Sequence, residues 1–233
     1  MSDAAPVLQA PIESVIRQSA DVWTLWLKAY FPYHAGQSIA IFFPNDVKKR
    51  YYSLCSSPTE TGHLAITVKL DPAQALAPLF SRLKNGDTVR IEGPFGKFTL
   101  PEAMQGPFYF LAGGSGIAPF RSMIKYLFDT GVPAQTWLFH STKTSQALIF
   151  RPEIKEWLQA HPTFHYVPTV TGPPDGDWAF ETGRIGGELL RRHQVQSGGH
   201  FFLCGPADFV KDMELLLHAA LQVPAGHIRR EQW

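Results

Sequence analysis

Near residue 105 the chain changes its repeating pattern, and no other feature constrains the fold as much. Before that point, short segments rich in β-branched, aromatic or apolar residues run over Ile12–Ile16, Val22–Leu27, Ser38–Phe43, Tyr51–Cys55, Leu64–Leu70 and Val89–Glu92. Turn formers such as Tyr33-His-Ala-Gly36, Thr61-Gly62 and Asn85-Gly86-Asp87 separate them. Short strands at this spacing predict a small antiparallel barrel, whose closure removes exposed edges. After that point, strands at Phe108–Ala112, Thr136–His140, Phe164–Val170 and His200–Cys204 alternate with helices at Pro119–Asp129, Arg151–Gln159, Gly186–Arg192 and Ala207–Leu221, and a last strand lies near Ile228. Such alternation predicts a doubly wound parallel sheet. The expected class is β + α/β, with an antiparallel β-barrel domain over 1–103 and an α/β domain over 104–233.

Composition removes several kinds of protein. The chain has 233 residues, with 21 Lys and Arg against 20 Asp and Glu, a net charge of +1. It therefore lacks the field needed to hold nucleic acid or an anionic membrane. Cys55 and Cys204 are its only 2 cysteines. They are too few for an iron–sulfur cluster, a Cys-rich zinc module or a disulfide framework. The start, Met1-Ser-Asp-Ala-Ala-Pro6, has no basic stretch followed by an apolar one, so no secretory signal is expected. No apolar run approaches the roughly 18 residues that a membrane helix needs. These features predict a cytoplasmic protein with no nucleic-acid or membrane partner.

Three clusters carry chemistry. In Arg50-Tyr-Tyr-Ser-Leu-Cys-Ser-Ser-Pro58, the strand period of two puts Arg50, Tyr52 and Leu54 on one face and Ser53 on the other. A guanidinium beside an aromatic ring and hydroxyls can grip a phosphate and stack on a flat ring system; an ordinary strand with a core tyrosine is the alternative. Leu111-Ala-Gly-Gly-Ser-Gly-Ile-Ala-Pro119 lies between a strand and a helix. There, glycines let the backbone approach a pyrophosphate and the helix start offers N–H donors. Pro119 is tolerated in a first helical turn, and a plain tight turn is the alternative. Phe202-Leu-Cys-Gly-Pro206 ends a strand, on the side where open parallel sheets bind ligands; Cys204 taken alone reads as a small buried apolar residue.

In this order and at these separations, the clusters resemble the R-x-Y-[ST], G-G-[ST]-G-x-A-P and C-G-P motifs of the ferredoxin–NADP⁺ reductase superfamily of flavoprotein oxidoreductases. Ile91-Glu-Gly-Pro-Phe-Gly96 and the terminal Glu231-Gln-Trp233 are similar to the family as well. The resemblance implies that the barrel binds flavin, FAD more commonly than FMN. Arg50 would hold the flavin phosphate, Tyr52 would pack on its ring and Ser53 would bond near its N5, with Ser56 also on the cofactor side. Gly113, Gly114, Ser115, Gly116 and Pro119 would cradle NADH or NADPH, with Gly205 and Pro206 beside it. Cys204 and Glu231 would lie near the nicotinamide, giving Ser53, Cys204 and Glu231 catalytic roles, and Trp233 would cover the flavin. Lys143 and Arg184 are the residues placed to meet a 2′-phosphate, a sparse set that favours NADH and leaves NADPH open. The family's phosphate loop is replaced here by Gln74-Ala-Leu-Ala-Pro-Leu79, and Pro78 has no N–H to offer a phosphate.

The resemblance also implies an activity: electrons pass from the nicotinamide through flavin to a separate acceptor such as a ferredoxin, a flavodoxin or the cluster protein of an oxygenase. Reduction of free flavin or of a small quinone or haem acceptor is the alternative within the enzyme class. A non-turnover electron-transfer subunit of a larger enzyme is the alternative outside it.

Overall fold

The computed structural model describes residues 5–44, 48–71, 76–80, 82–174 and 176–232. The chain divides into two compact units, one made of 1–100 with 118–130 and the other of 101–117 with 131–233.

The first unit holds β1 (Val7–Arg17), β2 (Val22–Leu27), β3 (Ser38–Phe42), β4 (Arg50–Ser53), β5 (Leu64–Lys69) and β6 (Thr88–Phe95). They form one sheet in the order β4-β3-β6-β1-β2-β5, with every neighbouring pair antiparallel. The sheet's two ends meet just beyond β4. Leu54 bridges Ile66, and the Cys55 N–H donates to the Ala65 carbonyl at 2.8 Å. Closure of this kind leaves few strand edges open to other chains. Ile12, Leu25, Ile39, Ile41, Leu54, Ile66, Val89 and Ile91 fill the interior.

Two features of this unit go beyond the expected strands: the early start of β1 and a short helix. β1 begins five residues before Ile12, pairing Val7 to Pro11 with β6 and Ile12 to Arg17 with β2, the second pairing shifting register between Ile12 and Ser14. One long strand thus serves two neighbours, the use to which bulges are put. Helix α1 (Leu76–Phe80) occupies part of the segment that replaces the family's phosphate loop; Gln74 and Ala75 lie outside the described residues. Leu76 and Phe80, four apart and so on one face, are buried in the barrel core. The Phe80 ring meets Trp23 and Phe43 at centroid distances of 6.3 and 5.8 Å.

Helix α2 (Ile117–Asp129) contributes its residues from Ala118 onward to the same unit. Arg121 is its anchor, with a side chain only 7% exposed. One guanidinium nitrogen donates to the Cys55 carbonyl at 2.6 Å and to Glu60 at 3.1 Å, and the other to Glu60 at 3.3 Å. The Trp26 ring centre lies 5.3 Å away.

The second unit is a parallel sheet of β7 (Phe108–Gly113), β8 (Thr136–Thr142), β9 (Phe164–Val170), β10 (Glu181–Thr182), β11 (His200–Gly205) and β12 (Ile228–Gln232), ordered β10-β9-β8-β7-β11-β12. Helices α3 (Arg151–Ala160), α4 (Gly187–Arg192) and α5 (Ala207–Leu221) accompany it. β7 is buried along its whole length, as strands covered on both faces are. Phe110 stacks on Phe202, and Tyr109 stacks on Phe201. On α5, Val210, Met213 and Leu217 form the buried stripe. The chain leaves β7 toward β8 on one side and returns to β11 on the other. The carboxyl ends of β7 and β11 therefore flank the point where strand order reverses, which is where open α/β sheets bind ligands. Among the described residues no helix is long and apolar enough to cross a membrane.

Candidate functional site

The glycine loop sits at that reversal. Gly113 closes β7, Gly114–Gly116 form a single 3₁₀ turn, and α2 follows. Gly116 is buried against β11: a Cβ built on it would lie 2.2 Å from the Cys204 carbonyl oxygen, a distance no side chain can hold. Gly114 differs, with a left-handed φ of +56° and nothing within 4 Å of the position its Cβ would take. One glycine is therefore demanded by close packing and the other by backbone conformation beside open space. Ser115 is half-buried, and Pro119 is the buried third residue of α2, where a backbone donor would have no intrahelical partner. Amides at a helix start with open space beside them fit a pyrophosphate.

Beneath this loop lies a residue absent from the sequence-predicted site. His140, on β8, is completely buried. Its Nε2 is 2.9 Å from the Gly114 carbonyl oxygen and its Nδ1 is 3.3 Å from the Tyr166 hydroxyl. Burial pulls the His140 pKa from 6.5 down to about 4, against a smaller upward pull from the Gly114 bond. The unfolded chain thus binds a proton between those values that the native chain does not. Stability is fully present above about pH 6.5 and falls as pH drops toward 4, by about 3 kcal/mol from this group. Urea unfolding at pH 7 and pH 4.5 is expected to show this loss, and His140→Phe is expected to lack its share of it.

At the end of β11, Cys204 is fully buried. Burial, and then the charge of Glu231, raise its thiol pKa. In the β11–β12 register Cys204 pairs with Glu231, and Gly205 with Gln232; Glu231 is half-buried. Gly205 backs onto Gly113, with a built Cβ 3.0 Å from the Gly113 Cα, and the exposed Pro206 caps α5. The structure so brings the second and third motifs together. Trp233 lies outside the described residues.

Also in this unit, a cavity of about 420 Å³ is lined by Ser141, Thr171, Arg184, Asp208, Phe209 and Asp212, among others. Arg184 lies 3.2 Å from Asp212. Lys143 is exposed just past β8 and is not part of this lining. Asp208 and Asp212 were not singled out by sequence, because carboxylates four apart on a helix read as a solvated face.

In the first unit, Arg50, Tyr52 and Ser53 share β4 and are each half-buried. Arg50 donates to the Lys48 carbonyl at 3.3 Å. Tyr52 packs against the barrel core; burial raises its pKa, and the Arg50 charge opposes that rise. Ser56 is completely buried. Its hydroxyl is 2.9 Å from the Tyr33 hydroxyl and accepts the Ala65 N–H at 2.9 Å, so it works inside the barrel closure. A strand that sets a half-buried cation and an aromatic ring on one face, with a hydroxyl beside them, fits a phosphate-bearing flat cofactor.

Family models match both parts of the chain. Residues 10–100 match the oxidoreductase FAD-binding domain and residues 110–214 the oxidoreductase NAD-binding domain. The chain belongs to the ferredoxin–NADP⁺ reductase superfamily of flavoprotein oxidoreductases. It is 30% identical over 177 residues to the phenol hydroxylase P5 protein of Acinetobacter pittii, covering 75% of this chain and 50% of that one. It is 28% identical over 212 residues to ferredoxin–NADP reductase B of Sorangium cellulosum, covering 87% and 86%. The crystal structure of Amycolatopsis cytochrome P450 reductase GcoB shares the fold, with a TM-score of 0.87 at 24% identity, over 100% of this chain and 73% of that one. The chain spans about half the length of several oxygenase-related proteins it matches.

Proposed function

We propose that the chain is an NAD(P)H-dependent flavoprotein reductase. It would pass electrons from the nicotinamide through bound FAD to a separate one-electron acceptor, a ferredoxin, a flavodoxin or the cluster protein of an oxygenase. The observation that carries this reading is the glycine loop seated on the Cys204 carbonyl at the point of strand reversal, in a chain whose other unit carries Arg50, Tyr52 and Ser53 on one strand. Relatives named as reductase components of propane and phenol monooxygenases and of terephthalate dioxygenase support a protein acceptor. A reductase fed by pyridine nucleotide works where that nucleotide is held, and the cytoplasm is the location this reading implies.

Flavin, when bound, supplies the step from two-electron hydride chemistry to single electrons. The chain's own residues bind and orient. Arg50 offers a fork of donors to the flavin phosphates, and the half-buried Tyr52 offers a ring face. Ser53 is the hydroxyl donor toward the flavin ring. The loop amides of residues 113–116 take the nucleotide's pyrophosphate. Cys204, held neutral by burial, and Glu231 beside it shape the nicotinamide end. Ser53→Ala is expected to slow NADH-driven flavin reduction at least about tenfold while flavin affinity changes little, the pattern of an interaction made at the reacting atoms. Stopped-flow reduction alongside a flavin-binding titration checks it; equal losses in both would assign Ser53 to binding alone.

NADH is the donor this reading favours. In the cavity of the second unit, Arg184, the cation among the described lining residues, is already paired with Asp212, and Asp208 adds a second carboxylate. A 2′-phosphate brought to Arg184 meets two negative groups, whereas a ribose hydroxyl can donate to a carboxylate. We expect kcat/KM for NADH to exceed that for NADPH by about tenfold or more, and Asp212→Asn to narrow the ratio about fivefold, in line with removal of one nearby like charge. Steady-state kinetics with both nucleotides measures this, and a wild-type preference for NADPH would reverse the assignment.

A further inference from the structure

We propose that His140 is a positioning residue for the nucleotide loop, its Nε2–H holding the Gly114 carbonyl inward so that the next amide, the Ser115 N–H, faces the bound phosphate. The inference rests on the donor reading above and adds to it a residue outside the glycine motif.

A neutral imidazole has one N–H and one lone pair, and both need partners when water is excluded. A carbonyl oxygen can only accept, so the 2.9 Å contact to Gly114 places the proton on Nε2. Nδ1 is then the acceptor, and the Tyr166 hydroxyl, 3.3 Å away, is its donor. Both contacts come from the second unit, and together they fix the tautomer and the ring plane. Burial keeps the ring uncharged across the physiological range.

The next link is the peptide between Gly114 and Ser115. A trans peptide is planar, with its C=O and N–H pointing in opposite directions. Fixing the Gly114 oxygen toward the buried ring therefore aims the Ser115 N–H away from it, toward the loop's outer side. The fixing matters because Gly114 has a φ of +56°, and a glycine has little intrinsic preference among backbone wells. A loop of glycines can approach a phosphate closely, but it keeps its donors aimed only if something else holds them. Nothing lies within 4 Å of the position a Gly114 Cβ would take, and the bond from below anchors the turn at its first carbonyl.

The test uses the FAD-loaded full chain. NAD⁺ binding is measured by isothermal titration calorimetry, and KM and kcat are measured with NADH. His140→Phe keeps the ring volume and removes both hydrogen bonds. It is expected to raise the NAD⁺ Kd and the NADH KM about tenfold, with kcat within about twofold, the signature of lost uniform binding. His140→Gln, which returns an N–H close to the Nε2 position, is expected to recover most of the affinity. A merely structural role would lower the melting temperature of both variants without this split. Should His140→Phe not fold, His140→Gln and Tyr166→Phe carry the test, together with the ¹⁵N spectrum of wild-type His140. An Nδ1–H tautomer, or a folded His140→Phe with wild-type NAD⁺ affinity, would overturn the proposal while leaving the donor reading intact. A wild-type chain that binds neither NAD⁺ nor NADP⁺ would overturn the donor reading and this inference together.

Discussion

Gly116→Ala is expected to abolish NADH-driven flavin reduction and to destabilise the second unit by about 3 kcal/mol or more, the range in which forced overpacking against backbone falls. The added methyl would lie 2.2 Å from the Cys204 carbonyl oxygen and 2.5 Å from its carbon. Neither atom can step aside, because β11 is hydrogen-bonded between β7 and β12. The loop must lift instead, carrying the amides of Ser115 and Gly116 with it. Gly114→Ala is the control. It has open space, and only the left-handed φ is penalised, by roughly 1–2 kcal/mol. Thermal unfolding and NADH kinetics should therefore rank Gly116→Ala well below Gly114→Ala in stability, with both raising KM where turnover survives. Equal stabilities would show that the loop does not rest on β11.

Arg121→Ala is expected to destabilise the first unit by about 3–5 kcal/mol, the scale seen when one partner of a buried ion pair is removed. The guanidinium holds the Cys55 carbonyl and both Glu60 oxygens, and its removal leaves a buried acceptor and a largely buried carboxylate without it. Arg121→Met, which keeps an apolar side chain of similar length at this buried position, is expected to recover part of the packing and none of the hydrogen bonding. Because residues 55–60 follow directly on the Arg50–Ser53 strand, flavin should also be lost more readily on dialysis. Denaturant unfolding of the two variants and their flavin absorbance after purification test this. A loss under about 1 kcal/mol, the worth of an exposed pair, would contradict it.

What the sequence made legible was whatever backbone geometry writes into residue identity. A strand–glycine–helix junction needs glycine where Gly116 meets the Cys204 carbonyl, so the loop is visible as a motif. The continuous apolar run at Phe108–Ala112 marked a strand that is buried along its whole length, whereas the alternating residue types from Leu64 to Leu70 suggested a one-sided strand and the structure buries Leu64 to Val68 without a break. The parts that stayed hidden depend on partners distant in sequence. His140 ends an apolar strand and reads as core until Gly114 and Tyr166, each 26 residues away, are seen on either side of its ring. Arg121 reads as an ordinary helix residue until Glu60, 61 residues earlier, is folded against it. The first part of β1 was hidden by Pro11, which breaks most strands but here is the last residue paired with β6, just before the strand turns to β2 at Ile12. Ser56, expected on the cofactor side, bonds within the barrel to Tyr33 and Ala65, partners that its place in the motif does not reveal.

The most direct test of the central reading is the anaerobic visible spectrum of the FAD-reconstituted protein before and after NADH. A flavin band that bleaches on NADH addition, and more slowly with NADPH, is expected. A protein that shows no flavin band after reconstitution, or a band that neither nucleotide bleaches, would contradict it.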